Sequence, residues 1–267
     1  MITMKTTVHI ADNYLINPTK PVTVSVVGAG GTGSQMLTAL ARINHALISL
    51  NHPGFMINAF DDDRISEANL GRQLFSESEI GMYKSVALIN RLNRFFGTNW
   101  KARTYRFADA LYNPETYKSN VIITCVDTAK SRFEVSELLY ELNNHRCLDR
   151  ERPMYWMDLG NSRDTGQVVL STIGKIKQPE SEKYRPIAEL PFITEMFKDQ
   201  LERADQFDDT PSCSLAEALT KQDLFINTGV ATIGASLLWQ LFQQGMVFNR
   251  GAFLNLKTFI TQPLKFE

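Results

Sequence analysis

Cysteine is scarce: Cys125, Cys147 and Cys213 are the three thiols in 267 residues, and no two of them form a C-x-x-C pair. That scarcity excludes a disulfide framework and the Cys-rich zinc sites, and it suits a reducing cytoplasm. Excess charge of either sign is lacking too. With 28 Lys plus Arg against 29 Asp plus Glu the formal net charge is -1, so no overall basic field exists to hold nucleic acid or an anionic membrane. Residues 1–20 hold no apolar core of the roughly 7–15 residues that a signal peptide needs. One run lacks charge altogether: LFINTGVATIGASLLWQLFQQGMVFN, residues 224–249, is long enough to cross a bilayer. Yet Asn227, Thr228, Thr232, Ser236, Gln240, Gln243, Gln244 and Asn249 recur through it, so it reads as a helix buried in a core or a subunit interface.

What is present is ordinary for a globular chain, with 43% apolar and 21% charged residues. At about 150 residues per domain, the length fits one large domain with an elaboration, or two small ones. The clearest local signal is PVTVSVVGAGGTGS, residues 21–34, in which β-branched residues meet four glycines and then a helix-forming stretch, MLTALARINHALISL. FMINAF (55–60) reads as the next strand and ends in the acidic run Asp61-Asp62-Asp63. The sequence predicts a helix over 76–96 with Lys84 near its start, a strand at 100–107, a buried parallel-type strand at 120–126 and a helix from Ala129 to Asn144. After Pro153, strands at 154–160 and 166–174 flank the short polar turn Asn161–Thr165, which favours an antiparallel continuation.

The expected fold is α/β: a Rossmann-like doubly wound sheet, parallel in its first half and continued by antiparallel strands, with ligands at the carboxyl ends of the strands. Residues 175–223 read as a charged, Pro-punctuated excursion off the sheet with a short helix near Ile193–Arg203. The uncharged helix then returns to the core, followed by one final strand at GAFLNLKTFI.

Gly28-Ala29-Gly30-Gly31-Thr32-Gly33 satisfies G-x-G-x-x-G between a strand and a helix, so its backbone N–H groups can meet a phosphate at a helix N-terminus. It is not a Walker loop, because Ser34 follows Gly33 and no lysine comes next, so phosphate charge must be neutralised from elsewhere. Asp61, at the end of the second strand, is placed to accept hydrogen bonds from ribose hydroxyls. Its distance along the chain from Gly28 exceeds the roughly 20–30 residues of a compact βαβ unit, and the surplus reads as an extended first helix and loop.

The segment DDDRISEANLGRQ, residues 61–73, following the GAGGTGS turn, closely resembles the ThiF/MoeB family of ATP-dependent activators of ubiquitin-like proteins. The family form D-x-D-x-V-x-x-S-N-L-x-R-Q is matched at Asp61, Asp63, Asn69, Leu70, Arg72 and Gln73. A G-x-x-K follows at Gly81–Lys84, and then an apolar strand leads to Asp127, with Arg132 beyond it. The resemblance covers roughly residues 20–170. The tail PSCSLAEALTKQDLFINTGVATIG further resembles the ThiF-like members that accompany PRTRC gene systems.

The resemblance implies a single adenylation domain over residues 1–267. Its nucleotide-binding core would span 20–174, a crossover excursion 175–223, and a buried helix and final strand 224–267. ATP would lie on Gly28, Gly30, Gly31 and Gly33, with Asp61 on the ribose and Asp63 and Gln73 beside it. Asn69, Arg72 and Lys84 would reach the triphosphate, and Asp127 would bind Mg²⁺. Attack of a carboxylate on the α-phosphorus expels pyrophosphate, and an Arg, a Lys and a metal ion can stabilise the charge that develops. The implied partner is a small ubiquitin-like or sulfur-carrier protein, and the implied assembly a homodimer.

Two features depart from the family pattern. No pair of C-x-x-C motifs is present to hold its structural zinc, and no arginine precedes Arg42 to be supplied from an N-terminal segment to a neighbouring subunit. Cys213 precedes an S-x-x-E capping box at Ser214–Glu217, where a helix N-terminus stabilises a thiolate, and some relatives use a cysteine in this region as a nucleophile. Asp208 and Asp209 oppose that, and a half-buried structural cysteine is the alternative. Cys125 reads as core and Cys147 as inert. The alternative for Asp127 is the N-cap of a helix beginning at Thr128, a role that need not exclude metal binding. Three functions stay open: an adenylating enzyme, a non-catalytic nucleotide-binding or scaffolding subunit, and an NAD-dependent dehydrogenase. The last leaves N-L-x-R-Q unexplained, and no tyrosine has the lysine four residues later that short-chain dehydrogenases use.

Overall fold

The computed structural model describes residues 5–112, 118–144, 148, 151–204 and 222–266. The chain opens with β1 (Thr6–Ile10) and a single helical turn, α1 (Asn13–Ile16). The β-branched run Val22–Val27 forms β2, and the glycine turn leads straight into α2 (Gly31–Ser49). At 19 residues α2 accounts for the long spacing between Gly28 and Asp61. Then come β3 (Phe55–Phe60), α3 (Lys84–Phe96), β4 (Lys101–Arg103), β5 (Val121–Thr124) and α4 (Ala129–Asn143). The antiparallel pair β6 (Tyr155–Asn161) and β7 (Thr165–Thr172) follows. After β8 (Tyr184–Pro186), α5 (Ile193–Met196) and α6 (Lys198–Ala204) comes α7 (Ile226–Gln244). The chain ends in β9 (Met246–Val247), β10 (Gly251–Asn255) and β11 (Ile260–Leu264).

Eight strands form the main sheet in the order β11-β10-β7-β6-β5-β2-β3-β4. Pairing is parallel from β4 through β6 and antiparallel from β6 to β11, which is the expected doubly wound sheet with an antiparallel extension. The two faces are read off alternate residues. Val24, Val26, Ile57, Ile123 and Met157 pack with Leu37 and Leu40 of α2 and Leu238 and Leu241 of α7. Val27, Ile122 and Trp156 point the other way, against Leu139 of α4, Phe192, Ile193 and Leu201. The uncharged run is therefore a core helix. It buries Ile226, Val230, Leu238 and Leu241, and among the described residues no helix is long and apolar enough to cross a membrane.

Several boundaries differ from the sequence reading, each for a local reason. The helix expected over 76–96 starts only at Lys84. Glu79 bonds back to the Ser76 N–H at 2.8 Å in a separate 3₁₀ turn, and Gly81 adopts a φ of 86° that ends any helix. The strand expected over 100–107 stops at Arg103, since Phe107 turns inward edge-on to Phe60 at the start of a 3₁₀ segment. The final strand is a hairpin, β10–β11, reversed where Asn255 Oδ1 accepts the Thr258 N–H and Phe259 takes a φ of 55°. The helix near Ile193–Arg203 is two short ones, α5 and α6.

Residues 175–204 do not stay off the sheet. The Leu190 carbonyl accepts the Thr172 N–H of β7 at 3.0 Å, its N–H donates to Thr172 Oγ1 at 2.9 Å, and Phe192, Ile193 and Leu201 close the second core. On the way β8 joins a second, three-stranded sheet, β8-β1-β9, that the sequence reading did not anticipate.

His9 of β1 ties that small sheet to the main one. Its Nδ1–H donates to the Ile187 carbonyl at 2.7 Å, and its Nε2 accepts from the Tyr155 hydroxyl at 2.9 Å, which in turn accepts the Asp12 N–H. Burial lowers its pKa, against a smaller opposing effect of the Ile187 hydrogen bond. The unfolded chain takes up a proton near pH 6.5 while the folded one stays neutral further down. The stability that this arrangement contributes is therefore present above pH 6.5 and is lost as the pH falls below it. The gap in thermal midpoint between wild type and His9→Gln should shrink between pH 7 and pH 5. A gap that stays constant would assign the titration to another group.

Candidate active site

The residues singled out by the motifs gather at the carboxyl ends of β2, β3 and β5. β5 and β3 flank β2 on opposite sides, so the glycine turn lies at the topological switch point of the sheet, where open α/β sheets bind ligands. Gly28 follows β2 with a φ of 92°, and a Cβ there would lie 2.6 Å from the Cys125 carbonyl oxygen. A Cβ at Gly33 would fall 1.9 Å from the Gly28 oxygen, so close approach of α2 to the strand requires glycine. Gly31 makes room for the side chain of Asn227, which a Cβ would approach to 2.6 Å. Gly30 meets nothing nearer than Gln73 at 3.8 Å and brings no capping side chain to α2. The first N–H groups of α2 are thus left without a side-chain cap, the arrangement that accepts a phosphate oxygen.

Asp61, directly after β3, holds this turn in place. Its Oδ2 accepts the Ala29 N–H at 2.6 Å and its Oδ1 the Asp63 N–H at 3.0 Å. Burial pushes its carboxyl up to about 6, while Lys84 and the Ala29 N–H act in the opposite direction. Lys84 opens α3 with its ammonium on Asp63 Oδ2 at 2.7 Å; the lysine is 8% exposed, whereas the Asp63 side chain is 68% exposed. Because Asp63 sits in solvent, this ion pair can be exchanged for a more strongly charged anion at modest cost.

Between them runs the loop from Arg64 to Tyr83. Asn69 Oδ1 accepts from both the N–H and the hydroxyl of Ser66, at 2.9 and 3.2 Å, and so folds the 3₁₀ turn that precedes Arg72. Arg72 Nη1 donates to Gln222 Oε1 at 2.8 Å, and Gln73 lies buried over Gly30. Arg72 Nε and Gln73 Oε1 are buried without a hydrogen-bond partner among the described residues, a costly state that a polar ligand would relieve.

Asp127 completes the cluster. The cap of α4 is Thr128, whose Oγ1 accepts the Ser131 N–H at 3.2 Å, so Asp127 is not the N-cap that the sequence left open. Asp127 is an exposed residue whose carboxyl is nonetheless closely surrounded. Desolvation raises its pKa, opposed by Lys84, then Arg132 and Arg72, while Asp63 adds to the rise. Arg132 itself is committed elsewhere. Its Nε lies 3.0 and 3.1 Å from the two oxygens of Asp158, and its Nη2 donates to the Val126 carbonyl at 2.7 Å.

The sequence reading missed Thr32, Asn161, Gln222 and Asn227. The Thr32 hydroxyl lies 3.0 Å from Asn161 Oδ1 and 2.9 Å from Asn227 Oδ1, and Asn227 Nδ2 donates to Gln222 Oε1 at 3.1 Å. An amide in the first turn of an uncharged helix was the available signal for Asn227. Cys125 is buried and burial drives its thiol pKa upward, as suits a core residue. Cys147 and Cys213 lie outside the described residues, as does the Ser214–Glu217 capping box. A groove of about 610 Å³ between α4 and the α5–α6 pair, lined by Phe133, Tyr140, Glu195 and Lys198 among others, contains none of the motif residues.

Comparison with solved structures returns the same fold. The crystal structure of E. coli MccB aligns with a TM-score of 0.61 at 15% identity over 92% of this chain. PaaA aligns with a TM-score of 0.58 at 12% identity over 91% of this chain and 72% of its own. E. coli MccB with ATP aligns with a TM-score of 0.58 at 15% identity over 92% of this chain and 64% of its own. The chain spans 62% of the length of the first of these, so the likeness extends to the fold and to part of that protein. Comparison with curated proteins by sequence gives no match. A family model described as the ThiF family matches residues 17–244, most of the length, a span within which the glycine turn, Asp61, Arg72, Lys84 and Asp127 fall. The chain belongs to the ThiF family.

Proposed function

We propose that this protein activates a C-terminal carboxylate by adenylation. The carboxylate of a small ubiquitin-like or sulfur-carrier protein attacks the α-phosphorus of ATP, a P–O bond forms, and the bond to pyrophosphate breaks, leaving an acyl-adenylate. The observation that carries this reading is the convergence of Lys84, Arg72 and Asp127 beside a glycine turn that has no lysine of its own. Supporting it, E. coli MccB, which shares the fold, is described with ATP and in complex with N-formylated MccA.

Each residue has a task in this scheme. Backbone N–H groups at the start of α2 would receive phosphate oxygens, and Asp61 would take the ribose hydroxyls on lone pairs not used by Ala29 and Asp63. Lys84 would exchange Asp63 for the triphosphate, and Arg72 would place its guanidinium against the charge that grows on the α-phosphate. Asn69 would join Arg72 and Lys84 at the triphosphate. Among the described residues no group of three or more His, Cys, Asp or Glu is assembled to hold a metal. A lone carboxylate such as Asp127 fits Mg²⁺, which commonly takes one or two carboxylates and completes its shell with phosphate oxygens and water. Bound there, Mg²⁺ would supply neutralisation of the departing pyrophosphate. A homodimer belongs to the proposal on family resemblance.

Incubation with ATP, radiolabelled pyrophosphate and a candidate carrier protein should give carrier-dependent ATP–pyrophosphate exchange. A second reading, a nucleotide-binding subunit without turnover, predicts ATP binding with no exchange for any cognate partner. A protein that binds no ATP would sink both readings.

A further inference from the structure

We infer that Gln222 is a positioning residue for Arg72: an uncharged amide aims the guanidinium into the site while leaving its charge available for a polyanion. The inference rests on the adenylation reading above. Gln222 Oε1 accepts from Arg72 Nη1 at 2.8 Å and from Asn227 Nδ2 at 3.1 Å. Two donors on one oxygen fix which end of the amide is which. Asn227 is 3% exposed and is locked in turn, with Thr32 of the glycine turn 2.9 Å from its Oδ1 and the space above Gly31 filled by its side chain. A continuous chain, Thr32–Asn227–Gln222–Arg72, therefore connects the start of α2 to the guanidinium. It crosses from the first nucleotide-binding unit to the first turn of α7.

The chemistry of the holder matters. Arg132 shows the alternative, a guanidinium on a buried carboxylate, Asp158, where the charge is cancelled in place. Arg72 meets a neutral oxygen instead, and its Nε has no acceptor among the described residues. A neutral acceptor restricts the rotamer, so less side-chain entropy is lost when a phosphate arrives, yet it competes weakly with that phosphate. A carboxylate at the same place would hold Arg72 more strongly and release it less readily.

The test uses the full chain as wild type, Gln222→Ala, Gln222→Glu, Arg72→Ala and the double variant Arg72→Ala/Gln222→Ala. Calorimetric titration with MgATP and thermal midpoints without nucleotide are both recorded. Gln222→Ala should weaken MgATP binding about 10-fold, within the roughly 10²-fold that misplacing an active-site group can cost. In the Arg72→Ala background the same change should have no further effect, because its influence passes through Arg72. Gln222→Glu should keep the nucleotide-free midpoint at or above wild type while weakening MgATP binding, a split that a merely structural role would not produce. Equal losses from Gln222→Ala in both backgrounds, or binding like wild type, would overturn the inference and leave the adenylation reading intact. Wild-type protein that fails to bind MgATP would remove that reading, and the inference with it.

Discussion

Lys84→Ala should lower carrier-dependent pyrophosphate exchange by about 10²–10³-fold, the loss typical of removing one preorganised donor from a site where charge develops. Lys84 is the cation with the largest favourable influence on both Asp61 and Asp127, so one ammonium sets the potential over both carboxylates together. Its position is fixed by backbone as well as side chain, since its own N–H donates to the Asp63 carbonyl at 3.0 Å at the first turn of α3. Loss of the ion pair itself should cost little stability, because the Asp63 carboxylate left behind is solvated. Lys84→Arg should recover only part of the rate, a planar fork being a poor substitute for a compact ammonium in a recess sized for one. Exchange within about threefold of wild type in a folded Lys84→Ala protein would refute the assignment of this residue to the triphosphate.

That prediction draws on residues that the family resemblance singled out, and the reason they could be found together is local. Asp61, Asp63, Asn69, Arg72, Gln73 and Lys84 stand within one connection, between β3 and α3, so their mutual placement depends on a few turns rather than on the whole topology. The doubly wound character of the sheet was legible for a similar reason: strands of β-branched residues alternate with amphipathic helices, and parallel neighbours need those crossovers. Gln222, Asn161 and Asn227 were not legible. They reach Arg72 and Thr32 from far along the chain, and neutral amides carry no charge or motif spacing that assigns them to a site. The small sheet escaped notice because β8 has three residues and β9 two, too few to show alternation, and their pairing with β1 is decided by tertiary packing. Fold and chemistry also separate at Arg132. The sequence places it in the same motif as Asp127, whereas the structure turns it inward to support the strand ends.

Asp158→Ala should therefore be the most destabilising single change near the site, and its effect should come from the group left behind. Asp158 is 1% exposed and Arg132 6% at their side chains. Both carboxylate oxygens face the Arg132 Nε, and Oδ1 also accepts the Thr124 hydroxyl at 2.7 Å, which itself accepts from Trp156 Nε1 at 2.9 Å. Removal of the carboxylate leaves a guanidinium buried beside Gly160 and the Val126 carbonyl, and breaking a buried pair in this way costs about 3–5 kcal/mol. Against a total of roughly 5–15 kcal/mol this is a large fraction, and at ~2–4 °C per kcal/mol it should lower the thermal midpoint by about 6–20 °C. Asp158→Asn, which keeps an acceptor and the shape, should lose less. The decisive variant is Asp158→Leu with Arg132→Met: replacement of both partners by apolar groups abolishes the uncompensated charge, so the double variant should be more stable than Asp158→Ala alone. If urea midpoints show the losses simply adding, the pair stabilises through its separate contacts and the buried-charge account fails. Nucleotide affinity should fall even in the stable double variant, because Arg132 also anchors the Val126 carbonyl, and with it the residue that follows, Asp127.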